Sequence, residues 1–506
     1  MDLRIAILVG GLGVDGVTLE ALKKKRVLED MGHYVKIITG RKNHRTGRGI
    51  IEKPDLFDFR AETHGIFEPV AFPYLRSSML YSSYPEVKEL SDDFQKQLLS
   101  RKLNSKTITQ LTQFYLEIIA VQHEHRINYL LDEEQIDLII PENLLAMPMQ
   151  LPLALALTNI IEKRNFPTIA SHHDFYFERN RFRGSTIKKY LKRCFPPTHS
   201  SVKHIVLNSR LNKLLRNPKS IKYSPAPDSK INSLILPNCF DFEFDPDKIY
   251  DDVTDSPKYP RKDSYNKDFR EQLGFEKDDI LFLQNTRIVH RKNIERSIDL
   301  LKSIKKMRPE KRNKYKLIIS ISSRDEGDEY YDSLVRYIRE NDLTIGRSSL
   351  KGCRTGDVVF TGERVGGIRR RIRGKKVYHY YDTYPNCDFC LYPSEYEGWG
   401  NVIGEAVQAK IPLLVNKYPI YMSDIRKYGF RFIEINDKIT PKIVSKVLDI
   451  LENKNFKKEI TEHNFQVGKK NISLKKINDI FISIFSDTEF MKLVEKRRSS
   501  LQYRLS

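Results

Sequence analysis

The segment from Tyr392 to Val415, YPSEYEGWGNVIGEAVQAKIPLLV, holds residues whose types and spacing suit chemistry on a sugar and a phosphate. The apolar run Cys387 to Leu391 reads as a buried strand, Glu397 to Asn401 as a Gly-rich turn, and Val402 to Ala409 as a helix rising from it. Backbone N–H groups at Gly398, Trp399, Gly400, Asn401 and Val402 then point out of a helix N-terminus. Unpaired donors and partial positive charge there suit phosphate and sugar hydroxyls. Glu397 and Glu405 stand at either end of this device, and a carboxylate can accept two hydrogen bonds from a vicinal diol. Glu405 therefore suits a ribose and Glu397 a hexose hydroxyl. The plain alternative is a pair of acids that cap a helix and face solvent.

A second constellation is FLQNTRIVHRKNIERSIDLL. Arg287 ends a strand and Lys292 follows five residues later near a helix start, which can bring two cations to one diphosphate. Arg291 competes with Lys292 for that role. A third is the turn Gly10-Gly11-Leu12-Gly13-Val14-Asp15-Gly16, in which Gly11, Gly13 and Gly16 satisfy G-x-G-x-x-G between a strand and a helix. A nicotinamide site would want an acid at the end of the next strand, where Thr39-Gly40-Arg41-Lys42 stands, so an NADP-dependent dehydrogenase is only a remote reading. A fourth is Ser171-His172-His173-Asp174-Phe175 at the carboxyl end of a strand, where open α/β sheets place ligand contacts. His173 and His172 both qualify, and Glu178 and Arg179 just beyond are candidate acceptor contacts. Asn208-Ser209-Arg210 and Pro237-Asn238 carry less weight. Asp245-Pro246-Asp247 reads as turn chemistry rather than a metal motif, and Cys387 and Cys390 have zinc-ligand spacing without a second pair.

These residues need a scaffold, and 506 residues fit two α/β domains of about 200 to 250 residues each. Strands are expected at Arg4–Val9, Tyr34–Ile38, Ile136–Ile140, Thr168–Ser171, His204–Leu207 and Leu234–Leu236, with a first helix over Thr18–Met31. Between Phe240 and Asp268 aliphatic periodicity fades into Asp, Pro, Lys, Ser and Tyr, as in a linker. The alternation restarts with strands at Ile280–Gln284, Lys316–Ile321, Val358–Phe360, Cys387–Tyr392 and Pro412–Val415. Residues 1–240 are thus read as an N-terminal Rossmann-like domain and 241–268 as a linker. Residues 269–485 follow as a C-terminal Rossmann-like domain and 486–506 as a helical tail. Thr440 and Pro441 form an N-cap and first-turn pair, and one late helix is free to cross back onto the first domain.

Glu397 and Glu405 with seven residues between, inside PSEYEGWGNVIGEA, resemble the signature of retaining glycosyltransferases of family 4; Pro393, Ser394, Gly398, Gly400, Asn401 and Ala406 also fit. The resemblance implies the GT-B architecture, two Rossmann-like doubly wound domains facing a central cleft. It implies a nucleotide-diphosphate sugar as donor substrate, no cofactor and no metal, and retention by same-face attack. On it, Arg287 and Lys292 neutralise the leaving nucleotide, and His173 lines the reaction centre and contacts the donor sugar. The loop with Gly11 and Gly13 approaches the donor phosphates and acceptor. A narrower similarity, in Pro141-Glu142-Asn143, SHHDFYFERNRF, EGWGN and PLLVNKYPIYMSDI, is to a subgroup that includes mannosylglucosylglycerate synthases, whose acceptors are small anionic glycosides.

Lysine and arginine total 87 against 66 acids, a net charge of +21, which favours an anionic partner or is simply the solvated surface of a Lys-rich chain. The densest cationic run, Arg364 to Lys376 with seven cations, is expected to be an exposed loop that meets lipid, RNA or an acidic acceptor. No aromatic residues are interleaved in it for base stacking, which makes nucleic acid the weakest of these partners. A basic GT-B-like module docking on membrane or RNA without turnover is the rival to an enzyme, and the intact Arg287, Lys292, Glu397 and Glu405 speak against it. No stretch of 18 apolar residues occurs and the five cysteines suggest no disulfide framework, so a cytoplasmic protein is expected, with a peripheral contact on the inner membrane face as an option.

Overall fold

Strands buried on both faces must pair in parallel beneath helices, and the apolar runs obey that rule in each half of the chain. In the computed structural model the described residues are 2–10, 16–39, 57–58, 106–178, 188–220, 230–251, 253–321 and 328–505. The chain divides into two units, Met1–Pro237 with Lys475–Ser506, and Asn238–Leu474.

Among the described residues the first unit has seven strands: β1 (Arg4–Val9), β2 (Tyr34–Thr39), β3 (Phe57–Asp58), β4 (Leu138–Pro141), β5 (Thr168–His172), β6 (Val202–Val206) and β7 (Ser233–Ile235). Their order is β3-β2-β1-β4-β5-β6-β7, parallel throughout. This is the Rossmann order with one strand added, and it reverses between β1 and β4. The helix Gly16–Asp30 leads from β1 to β2 and is stopped by Gly32, whose φ of 89° a side chain would strain.

The second unit repeats the plan. After two short strands, β8 (Ile249–Tyr250) and β9 (Lys262–Asp263), its main sheet contains β10 (Ile280–Gln284), β11 (Tyr315–Ile319), β12 (Ile345–Ser348), β13 (Cys353–Arg354) and β14 (Val358–Phe360). A small sheet of β15 (Val365–Gly366), β16 (Arg370–Ile372) and β17 (Lys375–His379) intervenes before β18 (Phe389–Tyr392), β19 (Leu413–Asn416) and β20 (Ile433–Ile435). The main order is β13-β12-β14-β11-β10-β18-β19-β20, reversing between β10 and β18. Helices Glu295–Met307, Glu329–Glu340 and Pro441–Glu452 press Ile298, Leu301, Leu334, Ile338, Val444 and Val447 into its core. Thr440 caps the last of these by accepting from the Ile443 N–H, with Pro441 in the first turn.

Three expectations change. Residues 241–268 belong to the second unit: Asp263 and Asn266 are fully buried, and Asn266 donates to the Arg261 carbonyl and to Asp382 at 2.8 and 2.7 Å. The helix Lys475–Phe485 belongs to the first unit together with Thr488–Leu505. There the Phe485 ring meets His33 edge-on, and Arg497 and Arg498 pair with Asp132 and Asp137 at 2.6 Å. The run 364–376 is largely a built element rather than an exposed loop. Arg364 is buried and donates to the Lys376 carbonyl, Arg369 is buried between Asp263 and Asp382, and Lys376 pairs with Asp268. Charge alone could not reveal these partners, which lie more than a hundred residues away in Asp263 and Asp268. Arg370, Arg371 and Arg373 are the exposed cations of that run.

Candidate functional site

In an open α/β sheet, loops leaving two neighbouring strands diverge where the strand order reverses and open a crevice at the carboxyl ends. In the second unit those loops follow β10 and β18, and they carry Arg287 to Lys292 and Pro393 to Asn401. A single turn, His290–Lys292, ending at Asn293 with φ of 50°, presents both Arg291 and Lys292 to Glu397. Arg291 Nη1 lies 2.7 Å from Glu397 Oε2, and Lys292 Nζ donates to Glu397 Oε1. Arg291 and Lys292 thus both reach the acid. Lys292 is the buried one, with its ammonium 5.4 Å from the Tyr392 ring. Arg287 is partly buried and close enough for its charge to act on Lys292.

The electrostatics of this group are set by burial and pairing. Burial pushes the Lys292 ammonium below its ordinary value although Glu397 pulls it up. Burial alone would raise the Glu397 carboxyl, but Lys292 and Arg291 together hold it below the usual range.

The turn between the two acids is shaped by packing. Gly400 has φ of 111°, and a Cβ there would stand 2.6 Å from the Tyr418 hydroxyl. The helix Asn401–Gln408 starts at this residue, with the Ile403 N–H bonded to the Gly400 carbonyl. The Trp399 ring is buried 5.8 Å from Phe240, and its carbonyl accepts from Tyr418, so Trp399 contributes backbone and core rather than a ring to any ligand. Asn401 is bonded to Asn238, and Val402 is buried. Glu405 accepts a 2.5 Å hydrogen bond from the buried Tyr384 hydroxyl, which Asn285 at the end of β10 also meets. Tyr384 has no motif around it, and Asn285 lies inside the Arg287 constellation without being singled out there; its sequence signal is a polar residue directly after an apolar strand.

In the first unit the loops at the reversal follow β1 and β4. Gly10 is held by Gln150, whose amide donates to its carbonyl at 2.8 Å, while Gly11 and Gly13 lie outside the described residues. Glu142, directly after β4, meets His173, directly after β5, at 2.6 Å. His172 points the other way, into the core, stacked on His204 with 3.0 Å between ring nitrogens. Burial drives His172 well below the ordinary histidine value and His204 to about 3, so both are neutral packing elements. Glu178 accepts from the Phe175 N–H at 3.1 Å and lies 3.3 Å from Arg210; Arg179 is outside the described residues. Asn208 caps the helix Ser209–Arg216 by accepting from Leu211 N–H, and Asp245 accepts from the Asp247 N–H in a local turn. Among the described residues no group of three or more His, Cys, Asp or Glu side chains is placed to hold a metal ion, and no helix is long and apolar enough to cross a membrane.

Two doubly wound units, one with paired cations and paired acids at its reversal point, match known proteins over most of the chain. The chain is a glycosyltransferase of the GT-B fold. Within that class it is related to mannosylglucosylglycerate synthases. It is 28% identical to the mannosylglucosylglycerate synthase of Thermotoga maritima over 500 residues, covering 93% of this chain and 96% of that protein. It is 26% identical to the Petrotoga mobilis protein of the same name over 439 residues, 84% of each chain. In fold it is similar to a glycosyltransferase from Rickettsia africae, with a TM-score of 0.57, 13% identity and coverage of 97% and 99%. No family model matches the chain. The dehydrogenase and docking-module readings give way to the transferase.

Proposed function

We propose that the chain is a retaining, metal-independent hexosyltransferase of the family 4 type, whose acceptor is a small anionic glycoside. The observation that carries the reading is the joint burial of Lys292 and Glu397, with Arg291 on the same acid, at the reversal of the second sheet. Fixed cations in a water-poor site stabilise charge that develops on a leaving diphosphate without reorganising, which is the service a divalent metal renders elsewhere. Lys292 and Arg287 take that role here. Glu405, oriented by Tyr384, accepts from the ribose diol. Glu397, together with the Asn401 region, accepts from hexose hydroxyls, so donor binding redistributes the hydrogen bonds that the acid now makes to Lys292 and Arg291. His173 supplies the contact of the first unit with the donor sugar, and Glu178 and Arg179 those with the acceptor. Retention follows from attack on the face the leaving group vacates.

The anionic acceptor is supported by the surplus of 21 positive charges and by the names of the two relatives. The same reading makes the enzyme cytoplasmic, with Arg370, Arg371 and Arg373 as its contact with an anionic membrane surface, and leaves nucleic acid without a role.

A donor-hydrolysis and thermal-shift screen of UDP-, GDP- and ADP-sugars in EDTA tests it. One donor should stabilise the protein and be hydrolysed slowly, and both effects should vanish in Lys292→Ala and Glu405→Ala. Turnover that needs added magnesium, or silence with every nucleotide sugar, would remove the proposal.

A further inference from the structure

A buried polar cluster in the first unit centres on Glu142, a residue the proposed reading does not use. Its Oε1 lies 2.8 Å from Lys24 Nζ, 3.0 Å from Ser171 Oγ and 2.6 Å from His173 Nε2. The Lys24 and Glu142 side chains are 3% and 0% exposed. The next residue completes the clasp: Asn143, at φ of 56°, accepts from the His173 backbone N–H at 3.0 Å and donates to Asp174 at 3.2 Å. Ring and backbone of His173 are therefore both held by consecutive residues at the end of β4.

Two arguments give this arrangement a purpose beyond packing. Burying a lysine and a glutamate costs several kcal/mol per ion before their attraction is counted, and an apolar pair would pin the helix Gly16–Asp30 to the sheet at lower cost. Further, an ionised carboxylate only accepts hydrogen bonds, so His173 must carry a proton on Nε2, and when the ring holds a single proton Nδ1 is its acceptor nitrogen. Burial alone would raise the Glu142 carboxyl, but Lys24, followed by His173, more than offsets it and holds it at about 2. The acid is ionised throughout the neutral range.

We propose that the Lys24–Glu142 ion pair is a positioning device that fixes the orientation and tautomer of His173, so that Nδ1 accepts a hydrogen bond from a hydroxyl of the donor sugar. The inference rests on the proposed role of His173 at the donor sugar. Glu142 and Lys24 touch no substrate; they act through the imidazole.

Steady-state kinetics on the full chain test it, using whichever of UDP-glucose, GDP-mannose and ADP-glucose is turned over fastest. His173→Ala should lower kcat on the order of 100-fold, and Glu142→Gln by roughly tenfold or more with the donor KM held within about twofold. Because Glu142 acts through His173, the double variant should be no slower than His173→Ala alone. Glu142→Gln strands a buried ammonium and risks misfolding, so the neutral pair Lys24→Met with Glu142→Gln serves as the second variant. It should keep the wild-type Tm and lose kcat to the same degree, while Lys24→Arg, which keeps the charge beside Glu142, should retain most of the rate. Losses that multiply in the double variant, or wild-type kcat in the neutral pair, would overturn the positioning role alone. Wild-type kcat in His173→Ala would overturn that role and the reading of His173 together.

Discussion

Tyr384 illustrates how one hydroxyl sets the behaviour of a binding acid. It is fully buried, it makes a 2.5 Å bond to Glu405, and it stands in a stretch, Tyr380 to Asn386, that carries no recognisable motif. A hydrogen bond to a charged group is worth about 1.5 to 3 kcal/mol, so on the proposed role of Glu405 the change Tyr384→Phe should raise the donor KM by about tenfold. kcat should stay close to wild type, since the ribose is remote from the bond that breaks. Kinetics with the donor found in the screen decide this; a fall in kcat at constant KM would place Glu405 elsewhere. Glu397 shows the complementary point, for the spacing of two acids was visible in the chain, but the two cations that now neutralise Glu397 were not assigned to it.

The helix Asn401–Gln408 is the element on which the donor site depends, and its placement is decided by small residues rather than by propensity. In an ordinary helix Gly→Ala gains about 1 kcal/mol. At Gly404 an added Cβ would come within 2.1 to 2.4 Å of the Phe240 ring, a rigid group that is itself buried. Overpacking of that kind costs about 1 to 3 kcal/mol, so Gly404→Ala should destabilise despite its better propensity and should weaken donor binding by tilting Asn401 and Glu405. Thermal unfolding with and without donor separates the two effects; an increase in Tm would show that the clash is relieved without cost. Strand elements were easier to read, because β1, β4, β10, β18 and β19 are near-continuous apolar runs, whereas β8, β9, β13, β15 and β16 are two or three residues long and carry no period.

For the whole molecule, buried histidines and buried carboxylates make stability depend on pH in one direction. His204 and His379 are held at about 3 in the folded chain, first by desolvation, against an ordinary value of 6.5. The unfolded chain therefore binds more protons through this window, and stability that is full above 6.5 is lost as pH falls toward 3. Glu142, lowered from 4.5 to about 2, adds a loss of the same sign at the acid end. Tm should decline steadily from about pH 7 to about pH 5, before the carboxylates contribute. A flat profile over that range would show that these histidines find proton-accepting partners in the fold. The two units also share one economy: each places its ion pair at the point where its strand order reverses, Lys24–Glu142 in the first and Lys292–Glu397 in the second.

By itself the sequence determined the doubly wound class, the main strands, and the family of turn that carries Glu397 and Glu405, because apolar period and Gly-rich spacing are local properties of the chain. Tertiary structure alone decided three other matters. It gave Arg364, Arg369 and Lys376 buried partners, drew 475–505 onto the first unit, and set Lys24, which reads as one more surface lysine on a polar helix, against Glu142. The physical reason is common to all three: a charge declares its presence in the sequence, but whether it meets water or a counter-ion depends on which distant segment the fold packs against it.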